Sequence, residues 1–312
     1  MNNEVFKGRD LLTLADLTPA ELTHVLDVAE AQKRAWAAGK RSAPLVGKAV
    51  AVVLQKPSMR TRISFEVALA RLGAHAVMMT GPEGAFSRGE TVYDTTKVME
   101  RYVDAIVIRT YAQSVVEEMA EIATVPVINA LTDDHHPCQG LADLLTVRER
   151  LGRLAGVRFA YVGDGNNMAH TYMLGGALAG MDVAIATPRG YEPKEEIVEQ
   201  ARAIAQTTGA RITVTCDASE AVTGADVVAT DTWASMGQEG EHAERVAIFE
   251  PFRVDQELID QASSGVLFMH CLPAHRGDEV TDDVIDHSCS AVFDEAENRL
   301  HAQKALLSLV LG

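Results

Sequence analysis

The chain has 312 residues, more than one hydrophobic core ordinarily serves, so two domains are expected. Its hydrophobic share of 47% and charged share of 23% are those of an ordinary globular protein, and no apolar run approaches the ~20 residues a membrane helix needs. A formal net charge of −16 argues against a generic nucleic-acid face, so any anionic ligand must be met by locally concentrated arginines.

The N-terminal stretch Met1 to Asp10 is polar and lacks an apolar signal core, which makes a cytoplasmic location the expectation. Thr18-Pro19-Ala20-Glu21 reads as a capping box with proline at the first helical position, opening a helix to about Trp36. Lys48 to Leu54 reads as a strand, and an amphipathic helix follows over Ile63 to Leu72. Between them lies Lys56-Pro57-Ser58-Met59-Arg60-Thr61-Arg62. Proline in the first turn, a capping serine and unpaired helix-start N–H groups beside two guanidinium groups make this stretch a candidate anion cradle. Arginine forks match phosphate oxygens two at a time. A capped helix start with solvated arginines is the plainer alternative.

Ala74 to Met79 is the next strand, and Thr80 to Glu90, with three glycines and a proline, is a loop in which Arg88 could meet an anion. Helix Thr91 to Tyr102 leads to a buried strand, Asp104 to Ile108, that ends on Arg109. Helix Gln113 to Ala123 and strand Val125 to Asn129 precede His135-His136-Pro137-Cys138-Gln139, which opens helix Gly140 to Leu151. The second half restarts the alternation. Strands are expected at Val157 to Val162, Asp182 to Ala186, Arg211 to Thr215, Asp226 to Thr230, Val266 to Met269 and Ala291 to Phe293. Helices are expected after Asn167, over Pro193 to Thr208 and Ala218 to Val222, and over Glu295 to Leu311. This pattern predicts an α/β chain of two doubly wound parallel-sheet domains, linked by helices, with a cleft between them and the last helix crossing back to the first.

Gly163-Asp164-Gly165 after a strand invites a dinucleotide assignment. The fingerprint fails twice: Met168 stands where the third glycine belongs, and the next strand ends Ala186-Thr187-Pro188 without a carboxylate. No nicotinamide or other cofactor is therefore expected. The cysteines Cys138, Cys216, Cys271 and Cys289 lack paired spacing, so neither a disulfide framework nor a metal site is expected.

Polar residues collect at strand ends and helix starts. In the first half they are Ser58, Arg60, Thr61, Arg109, His136 and Gln139, a set suited to phosphate and a carbonyl. In the second half they are Asn167, Asp231, Ser235, Met236 and Cys271, suited to an ammonium-bearing amino acid. Taken singly, His136 could be structural, Asp231 a helix cap, Met236 core filling, Cys271 a buried thiol and Arg299 a solvated arginine. Together the two sets suggest group transfer from a phosphorylated donor to an amine.

At these residues the chain resembles the aspartate/ornithine carbamoyltransferases over essentially its whole length. Ser58-Met59-Arg60-Thr61-Arg62 is similar to the family's carbamoyl-phosphate signature, with Met59 where threonine is commonest. His136-Pro137-Cys138-Gln139 matches its H-P-x-Q, and Asp231-Thr232-Trp233-Ala234-Ser235-Met236-Gly237 resembles the ornithine loop. His270-Cys271-Leu272-Pro273-Ala274 and Gly163-Asp164-Gly165-Asn166-Asn167 resemble the ornithine branch. Ala85 stands where that branch carries a glutamine, with Arg88 nearby as a substitute.

The resemblance implies a carbamoyl-phosphate domain over residues 1–148, joined by a C-terminal helix at about 298–312, and an ornithine domain over residues 149–297. It implies that Ser58, Met59, Arg60, Thr61, Arg109, His136, Pro137, Cys138, Gln139 and Arg299 bind carbamoyl phosphate. It gives ornithine to Asn167, Asp231, Ser235, Met236, Cys271 and Leu272, with Arg109, His136 and Cys271 as the catalytic residues. The implied products are citrulline and phosphate, within arginine biosynthesis, from a homotrimer or a multiple of trimers that needs no metal and no cofactor. Aspartate or putrescine as acceptor, or a non-catalytic metabolite-binding paralogue, are the alternative readings.

Overall fold

The structure is a computed structural model that describes residues 2–80, 89–234, 240 and 242–312. Ala85, Arg88, Ser235 and Met236 lie outside the described residues. The chain divides into two compact units, one of Met1–Leu145 with Glu297–Gly312 and one of Thr146–Ala296.

In the first unit, helix α1 (Pro19–Ala37) precedes strand β1 (Ala49–Leu54), α2 (Met59–Leu72), β2 (His75–Thr80), α3 (Val92–Met99) and β3 (Ala105–Arg109). Helix α4 (Gln113–Ile122), strand β4 (Val127–Leu131) and helix α5 (Pro137–Leu151) follow. The capping box on α1 is present, Thr18 accepting from the Glu21 N–H and Glu21 from the Thr18 N–H. The four strands are parallel in the order β2-β1-β3-β4. The two central strands are apolar on both faces, as a sheet covered by helices on each side requires, whereas the edge strand β2 is half exposed. One face of the sheet forms a core with Val53, Ile106, Ile108, Val116 and Met119.

The second unit holds β5 (Arg158–Val162), α6 (Asn167–Ala179), β6 (Asp182–Ala186), α7 (Glu195–Thr208), β7 (Ile212–Thr215), α8 (Ala218–Val222) and β8 (Val227–Thr230). Helices α9 (His242–Phe249) and α10 (Gln256–Ile259), strand β9 (Leu267–His270), α11 (Asp282–Ile285) and α12 (Val292–Leu311) complete the chain. Its five strands are parallel in the order β7-β6-β5-β8-β9, with Val162, Val228, Val254, Phe268 and Val284 in the core. The chain enters this unit within α5 and leaves it within α12.

Both sheets are two doubly wound halves meeting at a switch in strand order: β1 against β3 in the first unit, β5 against β8 in the second. Open α/β sheets bind ligands just outside the carboxyl ends of the strands at such a switch. Lys56 to Arg62 follows β1 and Arg109 ends β3, with Leu54 paired to Arg109. Gly163 to Asn167 follows β5 and Asp231 follows β8.

Three local expectations are corrected. Ala291 to Phe293 is no strand: α12 begins at Val292, and only Ser290 bridges to Phe268. The acidic pair Asp294 and Glu295 suits a helix N-terminus and outweighs a two-residue apolar run. Pro57 does not lie in the first turn of α2 but before its cap Ser58. Helix α5 starts at Pro137 rather than Gly140, because proline at the first helical position loses no hydrogen bond there.

Candidate active site

In the first unit, the switch point gathers the cationic residues. Ser58 caps α2, its Oγ accepting from the Thr61 N–H at 3.2 Å and donating to Thr61 Oγ1 at 3.0 Å. Arg60 then occupies the first turn, with half-buried side chain, while Thr61 is fully buried. The Met59 side chain points to solvent, 67% exposed, which leaves its backbone at the helix start. Arg62 turns outward and lies 3.7 Å from Glu66. Lys56 is buried in an ion pair with Asp133, its Nζ 4.3 Å from the centre of the Tyr111 ring.

Helix α12 brings Arg299, 2% exposed, to the same place. Its Nη1 donates to Gln139 Oε1 at 2.6 Å and its Nη2 to Thr61 Oγ1 at 3.4 Å. Gln139 in turn donates to Asp143 at 2.7 Å. The amide of Gln303, oriented so that both its ends are satisfied, accepts from Arg299 Nε and Nη2 at 3.1 Å. Arg299 is thus held in place by Gln139, Thr61 and Gln303.

His136 reports the convergence. Burial holds its pKa well below the usual histidine value, and the positive fields of Arg299, Arg109 and Arg60 push it the same way. Three guanidinium groups therefore act on one neutral imidazole, whose ring carries one N–H and one lone pair. Pro137 has no N–H and contributes only the geometry of the helix start.

The Cys138 side chain is fully buried, its thiol donates to the Asn129 carbonyl at 3.4 Å, and burial pushes its pKa up to about 12, so any part it plays in the site falls to its backbone. A sulfur committed to the interior of the unit is a packing group.

In the second unit, Asp231 is 8% exposed at the end of β8 and accepts three hydrogen bonds. They come from Asn166 Nδ2 at 3.0 Å, the Thr232 N–H at 2.8 Å and the Cys271 thiol at 3.1 Å. Asn166 is the cap of α6, accepting from the Met168 and Ala169 N–H groups and from the Tyr161 hydroxyl. Burial, followed by the negative field of Asp231, holds the Tyr161 hydroxyl well above its ordinary pKa, so it stays a donor. Gly165 permits the turn: a Cβ there would lie 2.3 Å from the Tyr191 carbonyl oxygen.

Asn167 is half-buried at the first position of α6, and its carbonyl accepts from Thr171. Its neighbour Asn166, in the same Gly163 to Asn167 motif, donates to Asp231 at 3.0 Å. Cys271 and Leu272 follow β9. Leu272 is half-buried with φ 59, a left-handed conformation that costs a residue with a Cβ about 1–2 kcal/mol. Such outliers cluster at ligand-contacting sites. His270 Nδ1 accepts from the Leu272 N–H at 2.9 Å, so its Nε2 carries the proton and donates to Glu279 at 3.0 Å.

Arg245 was missed from sequence. It is 5% exposed, donates to Asp164 at 2.6 Å and to the Trp233 carbonyl at 2.7 Å, and stacks against Tyr191 and Phe249. It ties the turn after β5 to the loop after β8. Burial holds Asp164 above the usual carboxylate range even with this partner.

Comparison with known proteins agrees with this architecture. Residues 9–149 match the family described as aspartate/ornithine carbamoyltransferase, carbamoyl-P binding domain, and residues 155–310 match its Asp/Orn binding domain. The ornithine carbamoyltransferase of Anoxybacillus flavithermus is 54% identical over 305 residues, 98% of this chain and 97% of that protein. A relative from Pyrococcus furiosus, named ornithine carbamoyltransferase, anabolic, is 52% identical over 98% of this chain and 97% of its own length. The solved structure of ornithine carbamoyltransferase from Pyrococcus furiosus superposes with a TM-score of 0.96, covering 98% of each chain. Two matching domains and full-length identity above one half place the chain in the aspartate/ornithine carbamoyltransferase family.

Proposed function

We propose that this chain transfers the carbamoyl group of carbamoyl phosphate to the side-chain amine of L-ornithine, giving L-citrulline and phosphate. The observation that carries the reading is the set of three guanidinium groups, from Arg60, Arg109 and Arg299, acting on the buried neutral His136. Those charges suit a doubly charged phosphate, joined by the N–H groups at the start of α2. Ser58, Met59, Thr61, Pro137 and Gln139 complete the donor site. Arg60, Thr61, Arg109 and His136 would polarise the carbamoyl oxygen. Each well-placed donor to a developing oxyanion is worth about 3–4 kcal/mol.

The amine must be neutral to attack, whereas a free alkylammonium has a pKa of ~10.4. Asp231 and Cys271 share one hydrogen bond at 3.1 Å. Cys271, as the thiolate, accepts the proton that leaves the side-chain ammonium, while Asp231 stays a carboxylate. The α-ammonium of ornithine lies on Asp231, with Asn167, Ser235, Met236 and Leu272 bounding the rest of the amino acid. Aspartate as acceptor would require an available cation, and Arg245 is already paired with Asp164 at 2.6 Å.

The relative named anabolic supports a role in arginine biosynthesis. A homotrimer or a multiple of trimers, in the cytoplasm, completes the proposal; among the described residues no helix is long and apolar enough to cross a membrane. The test compares citrulline, carbamoyl-aspartate and carbamoyl-putrescine formation by the purified protein, with its mass in solution measured in parallel. Citrulline formation at least 100-fold faster than either alternative is expected, and a preference for another amine would overturn the assignment.

A further inference from the structure

Four residues beyond Cys271, the turn His275 to Glu279 holds a second cluster of ligating groups. His275 Nδ1, an Asp278 carboxylate oxygen and a Glu279 carboxylate oxygen all lie within 4.8 Å of one another. The turn is closed by the Gly277 N–H on the Val280 carbonyl at 2.8 Å and the Asp278 N–H on the His275 carbonyl at 2.9 Å. Gly277 takes φ 93, and Arg253 Nε donates to the Asp278 carbonyl at 2.8 Å.

Glu279 is the informative member. It is fully buried, and its two oxygens differ. Oε1 accepts from His270 Nε2 at 3.0 Å and from the His275 N–H at 2.6 Å. Oε2 is shut off from solvent and has no hydrogen-bond partner among the described residues. It faces His275 Nδ1 at 3.7 Å, beyond hydrogen-bond reach. A buried carboxylate oxygen without a donor is rare in native proteins and calls for a cation. His275 is exposed and Asp278 half-buried, so a path from solvent exists.

We propose that His275 Nδ1, the Asp278 carboxylate and Glu279 Oε2 bind a divalent first-row ion of the cobalt–zinc group. One imidazole and two carboxylates are a ligand set such ions accept, whereas magnesium and calcium take oxygen alone. With metal–ligand bonds of about 2.0–2.2 Å, neighbouring ligands of a tetrahedral ion stand about 3.3–3.6 Å apart. The observed 3.7 Å between His275 Nδ1 and Glu279 Oε2 needs only a small side-chain adjustment. Asp231, His270 and Cys271 also present ligand atoms within 4.8 Å, but both nitrogens of His270 are committed, one to the Leu272 N–H and one to Glu279. The ion would sit on the opposite oxygen of the carboxylate that fixes the His270 tautomer.

Cobalt(II) titrated into the chelator-treated full-length protein tests this. Saturable uptake of one equivalent per chain is expected, with visible d–d absorption and no near-ultraviolet thiolate-to-cobalt band. The affinity should fall at least tenfold in His275→Ala and in Asp278→Asn and stay unchanged in Cys271→Ser. Each metal-free variant should melt within a degree or two of the parent, and if His275→Ala does not fold, Asp278→Asn carries the test. No saturable uptake at millimolar cobalt would overturn the proposal. So would uptake with a thiolate band that Cys271→Ser abolishes, or uptake indifferent to both turn variants.

Discussion

Asp231→Asn separates the charge of the acceptor site from its architecture. Asp231 accepts from Asn166 Nδ2, the Thr232 N–H and the Cys271 thiol. Asparagine keeps one acceptor oxygen for Thr232 and Cys271 but turns an NH₂ toward the NH₂ of Asn166. Asn166 is not free to flip, because its oxygen caps α6 through the Met168 and Ala169 N–H groups. Hydrogen bonds to a charged group are worth about 1.5–3 kcal/mol against 0.5–1.5 for neutral ones, so a net loss of ~2 kcal/mol is expected. In a unit of this size that lowers Tm by about 4–8 °C. Loss of the charge opposite the α-ammonium removes another ~1.5–3 kcal/mol from the complex, raising the ornithine KM roughly 10- to 150-fold. The carbamoyl-phosphate KM should stay within twofold.

The swap Asn166→Asp with Asp231→Asn sharpens the test. Aspartate caps a helix as well as asparagine does, and the new amide at 231 donates to the new carboxylate at 166. Tm should return to within ~2 °C of the parent while the ornithine KM stays high, because the charge has moved from strand end to helix start. Steady-state citrulline formation and thermal melts read both quantities. An ornithine KM unchanged in the single variant, or a selective rise in the donor KM, would refute the reasoning.

Arg109→Ala should lower kcat by at least ~100-fold with a near-parental melting curve, since one positioned cation at a developing charge is worth about 3–4 kcal/mol. Cys138→Ala should leave kcat within about threefold, and native alkylation followed by mass spectrometry should find Cys138 unmodified at pH 8, its thiol being buried and pushed up to about 12. His136 should make stability fall on acidification. Its folded pKa lies well below the usual value while the unfolded one is ~6.5, so below pH 6.5 the unfolded chain binds a proton that the folded site refuses. Urea unfolding at pH 7.5 and 5.5 should show the parent losing up to about 1.4 kcal/mol more than His136→Gln, and equal losses would contradict the assigned field.

The sheet alternation and the two switch points were legible because parallel strands covered on both faces leave unbroken apolar runs such as Ala49 to Leu54 and Ala105 to Ile108. The cradle was legible because a serine cap, first-turn arginine and threonine are local chemistry. Asn166 and Asn167 could not be told apart by composition. The deciding signal was positional: Asn166 precedes the first helical residue, where an asparagine side chain closes the helix start. Arg245 and Glu279 were hidden for another reason. Arg245 meets Asp164 across 81 residues, and Glu279 meets His270 across a turn whose closure no periodicity encodes. Cys138 lies inside a polar motif, yet the helix turns its side chain into the interior of the unit.

The contact between Arg299 and Gln139 spans 160 residues of sequence. During synthesis at about 5–20 residues per second, Gln139 therefore emerges roughly 8–30 s before its partner exists. The second unit is one uninterrupted segment and can close while the ribosome is still at work, whereas the first must wait for the last turns of the chain. A protein truncated before residue 299 would carry a complete amine-side unit beside an unfinished phosphate-side one. Quality control that inspects the newborn chain would meet that half-built state on every molecule made.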